Sequence, residues 1–179
     1  MKKNLLLLIT LFSLISVNAQ NDGEQIQKNN ELKLNIIMPL AATFEGTYER
    51  ILNSKSSVGI TGSYVFDSDG QNDDMNYSIS PYYRRYFGKK YASGWFVEGF
   101  GMLTSIDGKK IYTSEDHSIY TENPDVIDFA LGAGGGWKWV SKNGFIIEAN
   151  VGYGGLLFNA KKTDHTIVAR FGISLGYRF

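Results

Sequence analysis

The chain has no cysteine and only 3 prolines among its 179 residues. Without cysteine there is no disulfide framework, no Cys-based zinc or iron–sulfur site and no lipidated N-terminal cysteine. Net charge is absent as well, with 18 Lys+Arg against 18 Asp+Glu. That balance leaves no electrostatic footprint for nucleic acid, and no nucleic-acid partner is expected. After the first twenty residues no stretch approaches 18 apolar residues, so no transmembrane helix is expected there. What is abundant instead is 11 Tyr, 11 Phe and 20 Gly. Disordered chains are poor in aromatics, so most of the length is expected to fold.

The first residues read as an address. Met1-Lys2-Lys3-Asn4 is a short basic start, and Leu5–Val17 is apolar apart from Thr10, Ser13 and Ser16. A spanning helix needs about 20 apolar residues, more than this run offers. With Val17-Asn18-Ala19 behind it, the segment 1–19 reads as a secretory signal peptide cut before Gln20. Cleavage leaves 16 basic and 18 acidic residues.

The rest alternates with period two. From Ile167 the odd positions are Ile167, Ala169, Phe171, Ile173, Leu175, Tyr177 and Phe179, and the even ones are small or charged. A strand separates two such sets onto opposite faces, whereas a helix mixes them. The same pattern runs through Leu32–Leu40, Ser57–Phe66, Val126–Trp139 and Phe145–Phe158, and more noisily through Thr43–Leu52, Asn76–Phe87 and Trp95–Thr104. That predicts an all-β fold of eight antiparallel strands. Asn53–Ser56, Gly88–Gly94 and Ser141–Gly144 are short turns. Asp67–Met75, Ser105–Asp125 and Asn159–His165 are longer polar loops. The first connection, around Pro39–Ala42, fits neither class.

Eight such strands close into a barrel with the apolar face inward around a ligand, or outward against lipid. By alternation Lys33, Glu45, Glu49, Arg84, Glu98, Asp128, Lys138, Glu148, Arg170 and Arg178 share the face opposite the apolar one. Five positive and five negative groups suit mutual pairing inside a membrane barrel, whose interior is expected to be polar. Gly132, Gly134, Gly136, Gly152, Gly154, Gly172 and Gly176 lie on the same face, where they make room for Arg and Glu. Tyr48, Tyr83, Phe87, Trp95, Trp137, Trp139, Phe145, Tyr177 and Phe179 fall next to the short turns, which predicts an aromatic band at one rim. Such rings favour a membrane–water boundary. The expected architecture is an eight-stranded up-and-down transmembrane β-barrel over residues 31–179, behind a flexible N-terminus at 20–30.

At this point the chain resembles the small outer-membrane barrels of the OmpA and OmpX type. The resemblance spans roughly residues 31–179. It includes the end Gly172-Ile173-Ser174-Leu175-Gly176-Tyr177-Arg178-Phe179, which looks like their C-terminal assembly signal, with Tyr177 and Phe179 as its aromatics. It implies an outer-membrane location in a Gram-negative-type bacterium. The partners it implies are lipid, lipopolysaccharide and the barrel-assembly machinery. Short turns then face the periplasm and longer loops the cell surface. The periplasmic peptidoglycan-binding domain of longer OmpA relatives is expected to be missing.

No cofactor or metal is expected, and the leading reading is non-enzymatic. His117-Ser118 and His165-Thr166 are adjacent pairs in loops; on a strand the two side chains of such a pair point apart. A lipid-modifying barrel enzyme and a soluble lipocalin-like carrier are the alternatives. Asp67-Ser68-Asp69-Gly70-Gln71-Asn72-Asp73-Asp74 has the oxygen ligands of a calcium turn without EF-hand spacing, and is read as a solvated tip. In the loop 105–125, Ile111, Tyr112, Ile119 and Tyr120 predict a hairpin projecting past the barrel, a candidate contact for a surface ligand.

Overall fold

Strands form where apolar and polar residues alternate, and each gives its two faces to two different environments. A computed structural model describes residues 27–66, 75–112, 120–160, 162–163 and 165–179. Eight long strands are β1 (Asn30–Asn35), β2 (Thr43–Asn53), β3 (Ser56–Val65), β4 (Met75–Tyr86), β5 (Gly94–Ile106), β8 (Val126–Val140), β9 (Phe145–Leu156) and β10 (Ile167–Arg178). They form a closed antiparallel barrel in which each strand pairs with its neighbours in sequence and β10 returns to β1. The order is that of an up-and-down barrel, so the wall has no free edge strand. Two short strands, β6 (Lys110–Tyr112) and β7 (Tyr120–Glu122), pair as a separate hairpin between β5 and β8, at the place expected from Ile111 and Tyr120. The signal segment, the acidic loop 67–74, His117 and the tip 113–119 lie outside the described residues.

The three short turns are closed by local chemistry. Asn53 Oδ1 accepts the Lys55 backbone N–H at 2.9 Å. The β8–β9 turn uses Gly144 at φ 95°, a conformation that a side chain disfavours. Its Ser141 Oγ accepts from the Phe145 N–H at 2.9 Å. The β4–β5 turn folds under the barrel: Ala92 is fully buried, its N–H donates to Ser54 O, and its carbonyl accepts from Arg178.

The first strand is shorter than the expected Leu32–Leu40. It stops at Asn35, and Met38–Ala41 form a single 3₁₀ turn. The Asn35 side chain accepts the Ile37 N–H at 3.1 Å, which bends the backbone out of the ladder. Pro39 then has no N–H with which to resume it. The pairing of β1 with β10 therefore runs only from Glu31↔Arg178 to Asn35↔Ser174.

Exposed apolar side chains cover the outside, among them Leu32, Ile60, Ile79, Val97, Leu131, Val151, Phe171 and Ile173. The inside is not uniformly polar as alternation implied. Ile51, Tyr86, Ala92 and Phe96 pack near the short turns. Tyr82, Phe100, Met102, Ile106, Ala130 and Val168 pack toward the loops. A layer of ion pairs lies between them.

Candidate functional site

The best-defined chemical constellation in the described residues is this interior layer. Glu49 on β2 is its centre and is fully buried. Its carboxylate accepts from Lys33 of β1 at 2.6 Å, Lys138 of β8 at 2.9 Å and Arg84 of β4 at 3.1 Å. The hydroxyls of Tyr82 and Tyr86 donate to it too. Lys33 also reaches Glu148 of β9 at 2.7 Å. Arg84 reaches Glu148 at 2.8 Å and, through Nη2, Glu98 of β5 at 2.7 Å. Lys138 bridges to Glu31 at 2.7 Å, and Arg178 Nη2 closes on Glu31 at 2.6 Å. Arg170 lies 3.4 Å from Glu98 and donates to Thr61 Oγ1 at 3.0 Å. A buried charge is tolerable only when paired and hydrogen-bonded, and here each one has an oppositely charged partner within 4 Å, although Arg170 Nη1 and Glu98 Oε1 face each other at 3.4 Å without a hydrogen bond.

Aromatic rings separate the charges. The Arg84 guanidinium lies 3.8 Å from the Phe96 ring centre and 4.7 Å from that of Tyr82. Lys138 sits over Tyr86, and Arg170 over Phe100. These cation–π contacts give the cations a second favourable surface. They also correct the purpose assigned to the glycines. A Cβ at Gly136 would stand 2.6 Å from Phe96 Cζ, and one at Gly176 2.6 Å from Lys33 Cγ. Gly132 faces the Phe100 ring and Gly172 the Asn35 amide. The glycines mostly admit rings and an amide rather than Arg and Glu heads.

The ten charges named from alternation all line the inner face, but not as one network. Glu45 is half-buried and accepts from Asn35 Nδ2 at 2.9 Å. Asp128 accepts the backbone N–H groups of Phe129, Phe158 and Asn159, and so ties the start of the β9–β10 loop to β8. Glu31 was missed because the first strand was read as starting with Leu32; the alternation through Lys33 already pointed to it. Tyr82 and Tyr86 were missed because β4 carries tyrosines on both faces.

Tyr48, Tyr83, Phe87, Trp95, Trp137, Trp139 and Phe145 point outward and are exposed, up to 69% for Trp95, as is Phe179. A band at one rim is incomplete, however. Phe44, Tyr64, Phe66, Tyr77 and Phe158 are exposed near the loop end as well. Between Phe44, Tyr64, Tyr77 and Ile79 the outer wall has an open hollow of about 490 Å³ floored by Gly46 and Gly62. The described residues contain no cluster of three or more His, Asp or Glu able to hold a metal. None of their helices is long and apolar enough to cross a membrane, which says nothing of a β-barrel.

A family model described as protein of unknown function (DUF3575) matches residues 5–171. The chain belongs to that family. No curated protein sequence matches this member. Its fold is similar to the N-terminal β-barrel domain of Pseudomonas aeruginosa OprF, with a TM-score of 0.57 at 14% identity, covering 86% of this chain and 98% of that one. A second similar structure is the Yersinia pestis outer membrane protein Ail in a phospholipid bilayer nanodisc, with a TM-score of 0.43 at 17% identity, covering 86% and 100%. The likeness to the OprF domain is one of fold: a closed, eight-stranded antiparallel β-barrel.

Proposed function

We propose that this DUF3575 chain is an integral outer-membrane barrel with a side-chain-filled lumen, non-enzymatic, serving the envelope as a structural element and presenting loops at the surface. One observation carries the reading: the barrel is turned inside out relative to a soluble one. Buried Glu49, Lys33, Arg84 and Lys138 occupy the axis, while leucines, isoleucines and aromatics cover the outside. A soluble lipocalin-like carrier needs the reverse, and an exterior of this kind in water is an aggregation hazard. In a bilayer the same exterior meets hydrocarbon, and the closed ladder leaves no backbone group facing lipid at an edge.

Non-enzymatic action is supported by the site itself. The interior acids and bases are locked to one another in ion pairs and hydrogen bonds. The hairpin of β6 and β7 supports loop presentation, since it forms a two-stranded sheet separate from the closed barrel. The test is fractionation of cells expressing the chain, with boiled and unboiled samples compared on a gel. The expected result is recovery in the detergent-solubilised outer membrane with a heat-dependent shift in mobility. Recovery in the soluble periplasmic fraction without detergent would overturn the reading.

A further inference from the structure

Among the described residues, the short-turn end of the barrel carries exposed cations and no exposed carboxylate. At the short-turn end stand Lys28 ahead of β1, Arg50 on β2, Lys55 in the β2–β3 turn, Arg85 on β4, Lys89 and Lys90 in the β4–β5 turn and Lys142 in the β8–β9 turn, all exposed. The carboxylates at that end, Glu31 and Glu49, are buried and engaged by lumen cations. Among the described residues none of these seven cations forms an ion pair, and no exposed Asp or Glu lies near them. Six of the seven lie on the arc from β1 to the β4–β5 turn.

Neutral groups fix several of these cations without neutralising them. Arg50 Nη1 donates to Asn30 Oδ1 at 2.7 Å, and the Tyr48 hydroxyl donates to the same oxygen at 2.9 Å. Lys55 Nζ donates to Gly88 O at 2.5 Å. The Lys28 ammonium lies 5.3 Å from the centre of the Tyr177 ring. Arg50 and Arg85 are set in the wall itself, paired across strands with Val58 and Val97, whose side chains are exposed apolar surface. A guanidinium in such a wall extends toward the nearest polar layer and seeks an anion there. The surface thus offers cations with no carboxylate partner among the described residues, at a rim with apolar wall and aromatic rings beside them.

We propose that this basic arc binds the phosphate groups of anionic glycerophospholipids in the leaflet facing the short turns, with their acyl chains against the wall around Val58 and Val97. The proposal rests on the membrane reading above. Charge complementarity selects an anion, and the apolar wall directly beside the cations selects an anion that carries hydrocarbon. Attraction of Lys and Arg to an anionic leaflet is additive and falls off within a Debye length, so it weakens with salt.

The test uses the purified full chain reconstituted into vesicles of phosphatidylcholine alone or of phosphatidylcholine with phosphatidylglycerol. The readout is the temperature at which the folded gel band converts to the unfolded one. Phosphatidylglycerol is expected to raise that midpoint for the wild type, and added NaCl to erode the rise. In the variant Arg50→Gln/Arg85→Gln/Lys89→Gln/Lys90→Gln the rise should fall below half of the wild-type value, while Arg50→Lys/Arg85→Lys should keep most of it. An undiminished rise in the Gln variant overturns the proposal. So does an equal rise produced by heparin or inorganic phosphate added to phosphatidylcholine vesicles, since a water-soluble anion would then suffice. Should the Gln variant not fold, phosphatidylglycerol retained on the wild type through detergent extraction, seen by mass spectrometry, supports the proposal, and retention of phosphatidylcholine in its place overturns it. A wild-type chain that does not float with phosphatidylcholine vesicles at all overturns the membrane reading itself, an outcome distinct from each of these.

Discussion

Glu49 is the residue on which the interior turns. It receives Lys33, Lys138, Arg84, Tyr82 and Tyr86 at once. Replacing it by Leu leaves those cations short of a counter-charge in a buried layer, a change that costs about 3–5 kcal/mol. Urea unfolding of Glu49→Leu in micelles, followed by tryptophan fluorescence, should show that loss; a variant as stable as the wild type would mean the layer is hydrated. Asn35 and Gly172 form a second, smaller unit. The Asn35 amide lies across Gly172 and donates to Phe171 O at 3.2 Å. Gly172→Ala should destabilise the wild type but do little harm once Asn35→Ala is present. The coupling expected in the double-mutant cycle is of the order of 0.5–3 kcal/mol. The charges of this layer were legible in the sequence because charged residues on an otherwise alternating strand stand out. The rings between them were not, since an aromatic residue suits either face of such a wall.

Among the strands, β4 has the sharpest local conflict. Pro81 lies in mid-strand, where proline removes a ladder hydrogen bond and is usually confined to edges. Tyr86 N donates toward β3, to Lys55 O, and Phe87 N toward β5, to Trp95 O. By alternation the Pro81 nitrogen faces Gly101 on β5 and leaves the Gly101 carbonyl without its ladder donor. The Ser80 hydroxyl donates to that carbonyl at 2.9 Å instead. Ser80→Ala should therefore cost about 1–3 kcal/mol, the penalty of an orphaned buried carbonyl. Adding Pro81→Ala should recover much of it by restoring an N–H. If Ser80→Ala proves neutral in the same urea titration, water replaces the hydroxyl. The strand itself was readable from Asn76–Phe87, but this repair was not, because it depends on which neighbour each backbone group faces. The early end of β1 was hidden for a similar reason: Ile36 and Met38 continue the apolar alternation, and only the Asn35 side chain turns the chain away.

For the molecule as a whole, the filled interior predicts that no large, stable single-channel currents appear in planar bilayers. The interior is filled by side chains: Ile51, Tyr86, Ala92 and Phe96 near the short turns, the ion pairs, and Tyr82, Phe100, Met102 and Ile106 toward the loops. Steady conductance steps of porin size would contradict this. Sidedness follows from connection length, and two cysteine variants test it in a chain that has no cysteine of its own. Asn123→Cys, in the exposed β7–β8 connection, should react with an impermeant thiol reagent on intact cells. Asn143→Cys, in the β8–β9 turn, should react only after the outer membrane is breached. The reverse pattern would invert the barrel. The closed architecture and its eight long strands were legible from period-two alternation alone, and the unequal heights of the strands were not.

That inequality has a consequence for how the ring shuts. β1 contributes a seam much shorter than those of its neighbours, yet it carries Glu31 and Lys33, which reach Arg178, Lys138 and Glu148 at the far end of the chain. Long-range contacts of this kind form late, after the intervening strands have made them accessible. The first strand, short in backbone but strong in charge, is therefore expected to act as an electrostatic latch that closes after the other seven strands have paired. A chain with Glu31→Gln/Lys33→Gln should collect as an open, protease-sensitive sheet before it seals, in a time course of folding into micelles. Sealing at the wild-type rate would show that the backbone seam alone completes the ring.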